Sequence, residues 1–144
     1  MMNILTALTW LVPRKTYLAP YNENESQKKA AKILWNAIDK LDFSLVLFMA
    51  IITIALCYYY YFPFNEKPGR HYHPKWCGMF CLITAIFVFL LSFAVCWFIA
   101  PNPGFDIGFL MKVSAVNMVY AVFLYLIVSI IILKSRKSNA YPWI

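Results

Sequence analysis

The chain has 144 residues, 62% of them hydrophobic and 13% charged, with a mean hydropathy of +0.64; an ordinary soluble domain is roughly 45–50% apolar and about 25% charged. A water-soluble fold this short cannot bury so much apolar surface, which excludes a soluble enzyme domain, a disordered tail and a nucleic-acid-binding module. The net charge of +7 comes from 13 Lys and Arg scattered along the flanks of apolar runs, as orientation by charge and attraction to anionic headgroups produce; no nucleic acid is expected as a partner.

Residues 1–12 form a first apolar run, closed by Pro13 and the pair Arg14-Lys15. It is too short to span a bilayer, and its cations follow it, whereas a cleaved signal peptide carries them ahead. It reads as a short helix at the interface with Trp10 at headgroup depth. Residues 25–42 read as a second interfacial element. Ala30, Ile33, Leu34, Ala37, Ile38 and Leu41 recur at the 3–4 spacing of one helix face, while Lys28, Lys29, Lys32, Asn36, Asp39 and Lys40 take the other. Ser26 is the expected cap, although Lys29 stands where a capping box has Glu or Gln. Such a cationic amphipathic helix lies on an anionic membrane surface or docks a partner helix. Residues 1–42 are thus expected as an interfacial region.

Three uncharged or nearly uncharged runs follow, at 43–62, 78–100 and 109–133, the last carrying only Lys112 near its start. Each has the ~20 residues needed to cross a hydrocarbon core, and each must be helical, because backbone groups in lipid need partners within the segment. The expected fold class is an all-α integral membrane protein: three transmembrane helices over 43–133, with the amphipathic helix before them. The sequence between spans one and two, PFNEKPGRHYHPKWC, holds three prolines and a glycine and reads as irregular. PNPGFDIG at 101–108 is a tight reversal that makes spans two and three an antiparallel hairpin. Residues 134–144 form a basic and aromatic tail.

Charge does not settle the orientation. With the N-terminus inside, Lys28, Lys29, Lys32, Lys40 and Lys112 face Lys67, Arg70, Lys75, Lys134, Arg136 and Lys137, five against six; the amphipathic segment favours the N-terminus on an anionic inner surface. Interface anchors are expected at Trp35, Tyr61, Tyr72, Trp76, Trp97, Lys134, Arg136 and Lys137.

Lipid tails are as apolar as leucine, so helices in a bilayer associate through close packing and interhelical hydrogen bonds. Small and polar residues at helical spacing mark the expected packing faces. They are Ala50, Thr53 and Cys57 in span one; Gly78, Cys81, Ala85 and Ser92 in span two; and Ser114, Asn117, Ala121 and Ser129, with Tyr125, in span three. Asn117 is the most polar group within the spans, and an unsatisfied amide in hydrocarbon costs several kcal/mol, so it should point inward and find a partner.

The residues with reactive chemistry are few. His71, His73, Cys77 and Cys81 are soft-metal ligand types, but His-x-His followed by Cys-x3-Cys is not a common zinc spacing, and no metal or other cofactor is expected. A haem between helices would need histidine within the spans. The six acids lie outside the apolar runs, whereas pumps and coupled carriers place ionisable groups within theirs. No catalytic triad, dinucleotide loop or Walker sequence is present, so no enzyme is expected. Asn24-Glu25-Ser26 matches a glycosylation acceptor and reads as a chance match.

The expected function is therefore a non-catalytic multi-pass subunit, an anchor or scaffold within a larger membrane assembly such as a secretion, respiratory or defence complex. Its partners would be the lipid bilayer and other membrane subunits, including copies of itself. The alternative is a homo-oligomeric pore lined by Ser114, Asn117, Tyr125 and Ser129. A bacterial cytoplasmic membrane is the expected home, with the mitochondrial inner membrane as the alternative.

Overall fold

A computed structural model describes residues 14–64, 74–100 and 105–136, which are all helical apart from short connections. A short helix α1 (Arg14–Leu18) runs into a 3-10 turn (Ala19–Tyr21). Then come the long α2 (Glu25–Tyr59), a π-helical turn (Tyr60–Phe64), α3 (Pro74–Ile99) and α4 (Ile107–Arg136). Phe43–Phe64, Lys75–Ile99 and Ile107–Ile132 are long and apolar enough to cross a membrane.

Helix α2 runs unbroken through the boundary expected between residues 42 and 43. Its 35 residues rise about 50 Å. No Gly or Pro stands between Glu25 and Phe62, and a helix once nucleated propagates readily. The amphipathic segment is therefore the first half of the same helix and not a separate element. Its start also differs from expectation. Asn24, in extended backbone, precedes the first turn without a side-chain cap bond, and the Ser26 hydroxyl donates to Asn24 Oδ1 at 3.2 Å.

Proline decides two further boundaries. Pro63 lacks an N–H and its ring crowds the carbonyl four residues back, and there the last turn of α2 widens into π geometry. Pro74 opens α3, four residues ahead of the expected start at Gly78, because the first helical position needs no N–H donor. Both prolines thus sit in helical turns rather than in an irregular loop. Helix α4 starts at Ile107, two residues early, because Asp106 caps it: the Phe109 N–H donates to Asp106 Oδ1 at 2.9 Å.

Helices α3 and α4 are the most closely packed pair, and α2 lies against both. Facing pairs give the directions. Ser92 meets Asn117 and Phe80 packs near Tyr125, so α3 and α4 are antiparallel; Cys57 meets Ser129 and Leu34 packs near Leu110, so α2 runs parallel to α4. The core has three levels. Cys57, Tyr60, Tyr61, Phe64, Phe80 and Tyr125 fill one end, Met49, Val88 and Ala121 the middle. Ala31, Leu34, Trp35, Ile38, Leu45, Cys96, Leu110 and Val113 fill the other, with Tyr17 and Phe109.

That last level overturns the surface-lying role of residues 25–42. Ala31, Leu34, Trp35 and Ile38 are buried by the chain's own α1, α3 and α4, whereas Ile33, expected on the apolar face, is 55% exposed. The buried face is rotated to include Trp35. Helix α1 folds back to cover it: the Tyr17 ring stacks on Phe109 at 4.2 Å, and the Arg14 guanidinium sits 5.3 Å over the Trp35 ring. The Tyr21 hydroxyl donates to Asp106 Oδ2 at 2.9 Å. Trp35, expected as a headgroup anchor, is a core residue under Arg14. Residues 1–13, with the expected interfacial helix and Trp10, lie outside the described residues.

Two expectations test this joint. Ile38→Ala should destabilise the fold by about 2–5 kcal/mol, as truncation of a buried aliphatic side chain does, while Ile33→Ala should stay within about 0.5 kcal/mol, both read by unfolding in detergent. Equal effects would mean that the buried face is assigned wrongly. Burial and the neighbouring Asp106 carboxylate raise the Tyr17 phenol above its ordinary value of 10.0, and burial with the Asp106 bond raises Tyr21. Below that pH both states hold neutral phenols; above it the unfolded chain ionises first. Stability should thus fall as pH rises through the alkaline range above 10.0, and the fall should be shallower in Tyr17→Phe.

Candidate functional site

The most polar surface inside the fold is a seam along the three long helices. On α4, Ser114, Asn117, Ala121, Tyr125 and Ser129 step by three and four residues and are 0–2% exposed. From α3, Ala85, Ser92 and Cys96 face them, and from α2, Thr53 and Cys57, all buried. The Asn117 amide donates from Nδ2 to Ser92 Oγ at 3.3 Å and joins α4 to α3. Cys57 Sγ and Ser129 Oγ lie 3.6 Å apart and tie α2 to α4.

The remaining hydroxyls turn back on their own helices. Thr53 Oγ1 donates to the Met49 carbonyl and Thr84 Oγ1 to the Phe80 carbonyl, each at 2.8 Å, and Ser114 Oγ to the Leu110 carbonyl at 2.9 Å. Bonding to the carbonyl four residues back is how Ser and Thr satisfy themselves within a helix. The Tyr125 hydroxyl, enclosed at the level of Cys57 and Phe80, makes no hydrogen bond among the described residues. Chemically the seam is neutral: an amide, hydroxyls and thiols.

Other expected packing residues fall elsewhere. Ala50 and Cys81 are half-buried. Gly78 is exposed, and nothing lies within 4 Å of where its Cβ would stand, so none of the described helices uses its small size. Thr84, 1% exposed, belongs to the interior and was missed by sequence reasoning. Its spacing to Val88 and Ser92, four and eight residues on, is the signal that could have found it.

Among the expected anchors, Trp97 is 37% exposed and Trp76 half-buried against Phe64, with ring centroids 5.4 Å apart. Tyr61 is 2% exposed and not presented at a rim. The π turn carries both Tyr60 and Tyr61 inward, their rings edge-on at 4.8 Å, with Tyr60 5.1 Å from Phe80. Lys134 and Arg136 fall in the final residues of α4. Tyr72, Lys137, His71 and His73 lie outside the described residues. The four cysteines are not joined in disulfides, and the described residues contain no cluster of three or more His, Cys, Asp or Glu suited to a metal ion.

The joint at the other end was also missed. Tyr17, Tyr21 and Asp106 come together across 85 or more residues of chain, and only the capping position of Asp106 ahead of an apolar run was readable locally. No protein-family profile, curated protein or solved structure matches the chain.

The seam predicts a modest coupling. A double-mutant cycle on Asn117→Ala and Ser92→Ala, read by unfolding in detergent, should give an interaction of about 0.6 kcal/mol and no more than about 1.7. The Ser92 hydroxyl, deprived of its partner, can turn to its own helix. An interaction near zero would mean that the 3.3 Å contact does not join the helices.

Proposed function

We propose that the chain is a multi-pass membrane protein serving as a non-catalytic anchor or scaffold subunit of a larger membrane assembly. The observation that carries this reading is the division between inside and outside. The polar side chains of the seam are enclosed and, apart from the Tyr125 hydroxyl, hydrogen-bonded within one copy of the chain, while the outer surface is a belt of large apolar residues. Phe43, Leu82 and Ile131 are each 61% exposed and Phe98 is 85% exposed. Soluble monomers rarely expose contiguous apolar surface on this scale, and acyl chains or neighbouring helices are the solvents that suit it.

The same division weighs against a pore lined by Ser114, Asn117, Tyr125 and Ser129. Those side chains are enclosed by α2 and α3. Turning them to a lumen would mean opening the bundle and breaking the bonds that close it. A structural subunit needs only what the outer face offers, an apolar contour shaped by the packing beneath it. The bilayer and other membrane subunits, copies of this chain among them, are the proposed partners, and a bacterial cytoplasmic membrane the proposed location.

Native gel electrophoresis with mass spectrometry of the intact assembly tests the reading. The chain should resist carbonate extraction from membranes and co-purify with unrelated membrane chains, and Asn117→Leu should leave liposome permeability unchanged. A discrete ring of identical subunits whose conductance changes with Asn117→Leu would overturn it in favour of a pore.

A further inference from the structure

An open recess of about 350 Å³ lies where α1 meets the start of α4. Tyr17, Tyr21 and Phe109 form aromatic walls, with Asp106, Gly108 and Lys112 on the α4 side. Two opposite charges therefore share one pocket. Asp106 is held in place by Tyr21 on one oxygen and by the Phe109 N–H on the other, and each carboxylate oxygen keeps a lone pair for a further donor. Tyr17, 7% exposed, brings its hydroxyl next to that carboxylate. Lys112 is exposed and has neither an ion pair nor a hydrogen bond among the described residues.

Depth in the fold narrows the ligand. The apolar stretch begins at Ile107, so Asp106 and Lys112 bracket its first turns, separated by about 9 Å along the axis. A lysine stem one or two turns inside a span reaches back towards the rim. Beside the recess, Ile107 and Met111 present exposed apolar side chains, 44% and 50% accessible, which suit acyl chains. A headgroup of net negative charge would meet the Asp106 carboxylate, whereas a phosphate joined to an ammonium group satisfies both ends. The remaining lone pairs of the Asp106 carboxylate favour an ammonium with N–H donors over a quaternary one.

We propose that this recess, on the reading of the chain as a membrane protein, binds the headgroup of an ethanolamine phospholipid, its ammonium at Asp106 between the aromatic rings and its phosphate on Lys112.

The test is native mass spectrometry of the full chain released from nanodiscs that hold equal parts phosphatidylethanolamine, phosphatidylcholine and phosphatidylglycerol. One phosphatidylethanolamine should be retained per chain in preference to the others. Lys112→Gln, at an exposed position, should lower retention about tenfold, the loss of one charge-assisted contact. Asp106→Asn should do the same while still capping α4, since Asn serves as well as Asp there. Equal retention of phosphatidylglycerol or phosphatidylcholine, or an Asp106→Asn variant that binds like the parent, would overturn the assignment. Displacement by free phosphoethanolamine at the lipid's own concentration would overturn the lipid as ligand. If no lipid is retained but the chain still resists carbonate extraction, the headgroup site fails alone; a chain released by carbonate fails the membrane reading itself.

Discussion

The antiparallel approach of α3 to α4 is the contact on which the rest of the molecule is built. Ala85, Ser92 and Cys96 on one helix and Ser114, Asn117 and Ala121 on the other are small or short, so the two backbones come close. That closeness brings the Asn117 amide within reach of the Ser92 hydroxyl. In apolar surroundings such an amide would cost several kcal/mol unpaired, so packing and polar satisfaction depend on one another. Helix α2 completes the enclosure from the side, through Thr53 and Cys57.

At the N-terminal end the design changes from small side chains to aromatic ones. The first turns of α2 present an apolar face at this end, with Ala31, Leu34, Trp35 and Ile38. The chain closes it with its own earlier residues: Tyr17 against Phe109, Arg14 over Trp35, Tyr21 on Asp106. Asp106 serves twice, capping α4 and receiving Tyr21. One carboxylate thus couples the start of one helix to the fold-back of another, and fixes the geometry of the recess beside it.

The opposite end uses bulk. Tyr60, Tyr61, Phe64, Phe80 and Trp76 interlock edge-to-face and tilted at ring separations of 4.8–5.4 Å, which aromatic rings prefer over stacking face to face. The π turn over Pro63 makes this possible, because it alters the angular step between Tyr60 and the residues after it. Both ends are therefore closed by aromatic side chains and the middle by aliphatic and small polar ones, leaving the reactive groups few and the outer surface apolar.

Much of this was legible beforehand. Length, composition and the run lengths determined three apolar helices, because an uncharged stretch of that size has one stable conformation away from water. The step of three and four along Ser114, Asn117, Ala121, Tyr125 and Ser129 is the face that the fold buries, since periodicity is a local property of the helix. Positions that depend on a partner distant in the chain were not legible. Trp35 and Tyr61 have the composition of rim residues, and only α1 and the π turn carry them inside. Ile33 and Gly78 fit a packing face by type and spacing, and only the arrangement of neighbouring helices leaves them uncovered. Nothing within residues 25–42 says whether their apolar side meets lipid, a partner or the chain's own Tyr17 and Phe109. Sequence periodicity says that a face must be covered; which residues cover it depends on contacts between segments about a hundred residues apart, and those exist only once the chain has folded.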